Sequence, residues 1–352
     1  MKGIGLMSGT SLDGLDIALV DFTHENQKYS FTVLEAETLA YTANWRAALQ
    51  SAPSLSGHQL LQLHRDYGKW LGEQVQQFLS NYNQTADFIG SHGHTLFHEP
   101  LNEFNFQLGE GSALAVSAGI PVYCDFRSLD ILLGGQGAPL VPIGDKYLFS
   151  EYRFCLNLGG FANLSVHKDT GMLAYDISAC NLVLNHFAQR MGAEYDEGGR
   201  LARSGKFRSE LFQALEAIEY YSKTPPKSLG REWFEAELLP VLDAYSVSPE
   251  DVLHTFTEHL ARQITQSIKP YCRPKDKLLV TGGGAHNDYL ISRLVELAPI
   301  EIIKPSRLII DFKEAIVFAF LAYLRQIGQA NVLRSVTGAR FDHFGGTYHL
   351  PR

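Results

Sequence analysis

Apolar residues that alternate with polar ones, or stand in short unbroken runs bounded by glycine, read as strands; apolar residues spaced three and four apart read as helix. Ile4 to Met7 and Leu15 to Phe22 are of the first kind and flank Ser-Gly-Thr-Ser-Leu-Asp-Gly, the pattern of a β-hairpin with a polar loop. A second strand-like pair is expected at Tyr29 to Tyr41. Between Trp45 and Tyr82 the spacing of Leu60, Leu61, Leu63, Tyr67, Trp70, Leu71 and Val75 predicts helix. Phe88 to Gly93 predicts a short buried strand ending at a glycine turn, and Pro121 to Asp125 predicts another.

The plan then restarts. Arg153 to Gly160 enters a glycine turn and Phe161 to Val166 leaves it, so a hairpin opens both halves of the chain. Helical spacing follows at Leu182 to Met191 and Val252 to Ile268; Lys277 to Val280 is a buried strand running into Thr281-Gly282-Gly283-Gly284, with a helix expected from about Asn287. Such alternation predicts an α/β layered fold, its halves divided within Gly134 to Pro139. The N-terminal lobe is expected at residues 1–133 with a returning tail at 335–352, and the C-terminal lobe at 134–334. A chain of 352 residues exceeds what one core organises, so two lobes with a cleft are the expectation.

Charge narrows the partners. Thirty basic against thirty-eight acidic residues give a net charge of −8 with no cationic stripe, which argues against nucleic acid and anionic membrane. The apolar run Ala315 to Tyr323 is about half of the ~20 residues a bilayer requires and reads as a core helix, with Asp311 and Glu314 as its N-terminal caps. Met1 to Met7 carry one positive charge and run straight into a glycine-rich turn, leaving no room for a signal-peptide apolar core, and Cys124, Cys155, Cys180 and Cys272 are widely spaced without CxxC pairing, so the cytoplasm with reduced thiols is expected.

Three glycine turns carry the candidate chemistry, because a phosphate is held by converging backbone N–H groups and glycine permits the close approach. The first, Gly9-Thr10-Ser11-Leu12-Asp13-Gly14, adds two hydroxyls and a metal-capable carboxylate. The second, Gly159-Gly160 with Asn163, repeats the design. The third, Gly282-Gly283-Gly284 up to Asn287, sits between strand and helix, where a nucleoside can approach the backbone. A structural β-turn accounts for each one taken singly; their order fits one nucleotide held between two similar lobes.

At this point the wording of the chain resembles the anhydro-N-acetylmuramic acid kinase family, within the actin/hexokinase-like (ribonuclease H-like) ATPases. The blocks are GLMSGTSLDGLDIALVDF from Gly5, IGSHGHTLFHEP from Ile89, DFRSLDILLGGQGAPLVPIGD from Asp125, LNLGGFANLS from Leu156, PPKSLGREWF from Pro225, LLVTGGGAHN from Leu278, and the EAIVFAFLAY helix with its SVTGA tail. They run in family order over nearly the whole chain. The resemblance implies a cytoplasmic carbohydrate kinase that uses ATP and Mg2+, opens the 1,6-anhydro ring with water and phosphorylates O6 in murein recycling; a homodimer is among the expectations.

The resemblance also places Asp176 as the water-activating base, with Asp13 and Asp176 toward the metal. A helix N-cap is the competing role for Asp176. After the aspartate the family has Thr-Gly-Pro-Gly-Asn where this chain has Ile177-Ser178-Ala179-Cys180-Asn181, so a kinase of the same fold acting on another sugar, or a sugar- and ATP-binding regulator, stays open. His92, His94, Glu99, Asp125, Arg127, Asp130, Gln136 and Asn181 fall in blocks resembling the family's sugar cleft, Arg127 being suited to a carboxylate. Lys227 and Arg231 are either anion contacts or solvated charges. His92, His94 and His98 lack a zinc-ligand pattern, and sugar hydrogen bonding suits them better.

Overall fold

The computed structural model describes residues 1–9, 12–225 and 227–352, so Thr10 and Ser11 of the first glycine turn lie outside the described residues, as does Pro226. The chain divides into two compact units, Met1–Leu148 with Phe312–Arg352, and Phe149–Asp311. These bounds differ from those drawn at Gly134 and at 335 because the segment around Gly134 to Pro139 is fastened to Asp130 and Thr337 within the first unit.

In the first unit, β1 (Lys2–Ser8) pairs antiparallel with β2 (Gly14–Glu25), as the patterning predicted, and β2 with β3 (Lys28–Ala40). Tyr29 to Tyr41 is therefore one strand rather than a pair: a bulge at Leu19/Val20 keeps it in register with β2 along its whole length. β4 (Phe88–Glu99) lies parallel to β1, followed by β5 (Phe104–Leu108), antiparallel to β4, and β6 (Val122–Cys124), parallel to it. Gly93, at φ 72°, does not end the strand; the register shifts there and pairing with β5 carries β4 on to Glu99.

The predicted helix at Trp45 to Tyr82 is divided into Ala43–Ser51 and Gly57–Asn81. Pro53 lacks the N–H that an unbroken helix needs, and Ser56 with Gln59 forms a capping box that starts the second piece. Helix Arg307–Gln326 begins well before the apolar run that announced it, so Asp311 and Glu314 lie inside it and cap nothing. Its residues from Phe312 on belong to the first unit, where Ile316, Val317, Phe320, Leu321 and Leu324 are buried. The helix comes so near the sheet that a Cβ on Gly5 would strike the Ala315 carbonyl and one on Gly90 the Phe318 carbonyl, which explains glycine at both central strands.

The second unit repeats the scheme. β7 (Phe154–Leu158), β8 (Phe161–Lys168) and β9 (Gly171–Ala179) form an antiparallel meander, and β10 (Lys277–Thr281) and β11 (Glu301–Ile303) extend it parallel to β7. With β12 (Thr347–His349) closing the first sheet antiparallel to β6, the orders are β12-β6-β4-β1-β2-β3 and β11-β10-β7-β8-β9. Three antiparallel strands followed by two parallel ones on the far side of the first occur in each sheet, the duplicated ribonuclease H-like connectivity that the resemblance implies. Phe154, Leu156, Leu164, Phe187, Phe256, Leu260 and Ile264 lead the second core. Among the described residues no helix is long and apolar enough to cross a membrane.

Candidate functional site

Within the second unit, strand register assembles a polar row that spacing along the chain does not disclose. Thr281 on β10 stands opposite Asn157 on β7, Asn157 opposite Asn163 on β8, and Asn163 opposite Asp176 on β9. A bulge between Ala162 and Asn163 brings the last pair into line. Asn157 went unremarked in the sequence; only the register of three strands reveals it.

Asp176 lies within β9, and the next helix, Asn181–Gln189, has Cys180 at its N-cap, so the capping role does not apply. Its Oδ2 accepts the Leu229 N–H at 2.9 Å, its own N–H donates to the Lys227 carbonyl at 3.1 Å, and Tyr220 donates its hydroxyl to the Asp176 carbonyl at 2.7 Å. Burial raises the carboxyl to about 6, the Leu229 N–H opposing it, so Asp176 titrates where a base for neutral pH is useful.

The glycine turns of this unit sit beside that row. The carbonyls of Gly159 and Gly160 accept N–H groups of Asn181 and Cys180 at 3.1 and 2.8 Å, and the Asn181 side chain donates to the Leu158 carbonyl at 3.1 Å. Gly282, at φ 81°, passes so near that a Cβ would lie 2.6 Å from Asn157 Oδ1. Asn287 caps helix Asp288–Leu297 through the Leu290 N–H, as the expected helix start requires, and His286 pairs with Asp311 at 2.7 Å. Lys227 donates to the Tyr220 carbonyl and Arg231 pairs with Glu235, so each has a partner on its own segment.

In the first unit, the Leu12 N–H closes onto the Gly9 carbonyl at 3.3 Å with Leu12 at φ 61°; Asp13 is exposed, and Gly14 opens β2. Behind this turn runs a buried chain of hydroxyls: Tyr67 to Tyr41 at 2.6 Å, Tyr41 to Ser8 at 2.7 Å, and Ser8 to His94 Nδ1 at 2.9 Å. Tyr41 donates to Ser8, and Ser8 shares a hydrogen bond with His94 Nδ1; burial lowers this ring to about 4 and keeps it neutral. His92 Nδ1 donates to the Gly93 carbonyl at 2.9 Å, and Arg127 supplies its Nη2 to His92 Nε2 at 2.8 Å and its Nη1 to the Gly137 carbonyl at 2.7 Å.

His92 and Asp125 line a cavity of about 230 Å³ together with His64, Gln107, Glu110 and His349. The last four were not singled out from sequence, being dispersed over a helix, a strand, a helix cap and the C-terminal strand. Glu99 and Gln136 are not brought to this cavity: Glu99 is exposed and accepts from Asn102 at 2.8 Å, and Gln136 is exposed on the loop to Gly137. Asp130 is a structural acid. Fully buried, it accepts the Gly137 N–H and the Thr337 hydroxyl, each at 2.7 Å.

Among the described residues no three His, Cys, Asp or Glu side chains gather as a metal cage. Magnesium does not need one, since it is ordinarily held by one or two carboxylates together with nucleotide phosphates and water; Asp13 in the first unit and Asp176 in the second each offer a hard carboxylate oxygen.

Duplicated sheets bearing glycine-turned hairpins, and a strand–glycine–helix turn in the second unit, define the class as an actin/hexokinase-like ATPase fold. The family model described as anhydro-N-acetylmuramic acid kinase matches residues 1–349. Proteins bearing that name are similar over full length: one from Paramagnetospirillum magneticum is 35% identical (100% of both chains), one from Mannheimia succiniciproducens 36% (96% of each) and one from Vibrio cholerae 34% (98% of each). Among solved structures, a ROK hexokinase from Thermus thermophilus aligns at 13% identity and TM-score 0.40, covering 92% of this chain and all of that one. The activator of 2-hydroxyisocaproyl-CoA dehydratase from Clostridium difficile aligns at 13% identity and TM-score 0.44, covering 94% and 99%. The chain belongs to the anhydro-N-acetylmuramic acid kinase family, and is thus a carbohydrate kinase.

Proposed function

We propose that this kinase uses ATP to convert 1,6-anhydro-N-acetylmuramic acid into N-acetylmuramic acid 6-phosphate, in murein recycling. The reading is carried by Asp176, a half-buried carboxylate raised to about 6, in register with Asn163, at one end of a polar row whose Asn157 end meets the Gly282 turn. Water adds its oxygen to C1 as the C1–O6 bond breaks, O6 takes the γ-phosphoryl group, and Asp176 takes the proton released by the water.

The phosphate-loop candidates are, in the first unit, the Gly9 to Gly14 turn, of which Thr10 and Ser11 lie outside the described residues, and, in the second unit taken by itself, the backbone N–H groups of Gly159 and Gly160. Gly282 to Gly284 let the nucleoside lie against the backbone, and Asn163 hydrogen-bonds the nucleotide or its water. Bound Mg2+ would neutralise phosphate charge; Asp13 in the first unit and Asp176 in the second are each a candidate carboxylate for it. In the first unit His92, His94, Asp125 and Arg127 are the sugar-contact candidates, with Glu99 and Gln136 peripheral; Asn181 is the candidate of the second unit. The cytoplasm is the proposed compartment and a homodimer the proposed assembly.

The test is Asp176→Asn with ADP release followed in the presence of the anhydrosugar. Turnover should fall at least about a thousandfold, the scale general-base loss reaches in coupled catalytic groups; undiminished turnover would remove Asp176 from the reaction. Because Ile177 to Cys180 depart from the family wording, a panel of amino sugars with labelled ATP checks the acceptor, and phosphorylation of another sugar in preference to the anhydro form would overturn it.

A further inference from the structure

β9 is an edge strand of its sheet, and Tyr220, Tyr221, Lys227 and Leu229 lie along its open side. Four hydrogen bonds hold them there. Three involve Asp176 itself: Tyr220 hydroxyl to the Asp176 carbonyl, Asp176 N–H to the Lys227 carbonyl, and Leu229 N–H to Oδ2. The fourth joins Ser178 Oγ to the Tyr221 hydroxyl at 2.9 Å, two residues further along β9. Ser178 is fully buried, so its hydroxyl meets the Tyr221 hydroxyl away from solvent. The Tyr221 ring is itself fixed, standing edge-on to Trp233 at 6.2 Å and to His259 at 4.7 Å, while His259 Nδ1 meets Glu216 at 2.8 Å.

Resting on the reading of Asp176 as base, we propose that Ser178 and Tyr221 are a positioning pair. Their bond pins these residues against β9 so that the Leu229 N–H occupies one carboxylate oxygen and turns the other toward the reacting water. A carboxyl group rotates with a broad, roughly two-fold preference, so one directed N–H sets which oxygen faces the substrate.

The experiment uses the full chain with Tyr221→Phe, which keeps the ring and removes the hydroxyl, Ser178→Ala, which removes its partner, and the double variant. Each single variant should lower kcat about tenfold with the KM for ATP unchanged, since misplacement of a reacting group by about 1 Å costs up to about a hundredfold. The double variant should be no worse than either single, because the two act through one bond. Exchange of the Leu229 amide with solvent, read by NMR or mass spectrometry, should quicken by about tenfold in all three. An unchanged Leu229 exchange rate, a kcat within about twofold of the parent, or single effects that multiply in the double variant would each overturn the pair. Asp176→Asn run alongside separates the two ideas: if that variant keeps its kcat, the base assignment fails, whereas the Leu229 exchange rate reads the fastening by itself.

Discussion

Arg127 donates through Nη2 to His92 Nε2 at 2.8 Å, and this single bond fixes the tautomer of a histidine buried beneath it. His92 gives its one ring proton, on Nδ1, to the Gly93 carbonyl and accepts at Nε2, and Arg127 further holds the Gly137 carbonyl at 2.7 Å. A guanidinium can do both in one plane; an ammonium cannot.

Arg127→Lys should therefore raise the KM for the sugar about tenfold with kcat less affected, consistent with the ~1.5–3 kcal/mol attached to hydrogen bonds of charged groups. Steady-state kinetics with varied sugar check this. An unchanged KM would remove Arg127 from sugar binding.

The pH dependence follows from Asp176, raised by burial from its ordinary 3.8 to about 6. As the proposed base it must be ionised, so kcat/KM should fall as pH drops through about 6. The same shift has the opposite sense for stability: the folded state holds this proton more tightly than the unfolded one, so stability is lost as pH rises from about 4 to about 6 and the cost persists above. Asp176→Asn should thus be more stable than the parent at pH 7.5, by on the order of 2 kcal/mol after allowance for partial solvent access, with the gap closing toward pH 4. Urea unfolding at the two pH values decides it; a gap that does not narrow in acid would contradict the assignment.

Gly282→Ala tests the nucleoside turn. At φ 81° a side chain is strained, and its Cβ would lie 2.6 Å from Asn157 Oδ1 and 2.9 Å from the Leu158 carbonyl carbon. Stability should drop by roughly 1–3 kcal/mol and the KM for ATP should rise, because the turn must move from the Asn157 end of the polar row. Calorimetry with ATP titration reads both; a variant with parental melting and KM would show that this turn tolerates displacement.

Asp130→Asn addresses a residue that sequence placed toward the sugar and structure places in the interior. An amide oxygen can replace only one of the two acceptors now used by the Gly137 N–H and the Thr337 hydroxyl. A loss of about 2 kcal/mol or more is expected in urea unfolding, from leaving a buried donor unpaired. Parental stability with reduced sugar affinity would return Asp130 to the binding surface.

Local pattern determined much of this protein. Glycine-bounded apolar runs marked the hairpins β1–β2 and β7–β8, three- and four-residue spacing marked the long helices, and family wording marked the turns and Asp176. These properties are written in neighbouring residues, where period and turn chemistry act directly. Only the tertiary structure decided that Asn157, Asn163 and Asp176 form one row, that Asp130 faces inward while His64, Glu110 and His349 face a cavity, and that Ser178 is tied to Tyr221. Each of those facts depends on strand register or on contacts between residues distant along the chain. A one-residue slip in register would turn every side chain of a strand to its other face, and nothing in the local sequence alone fixes that choice.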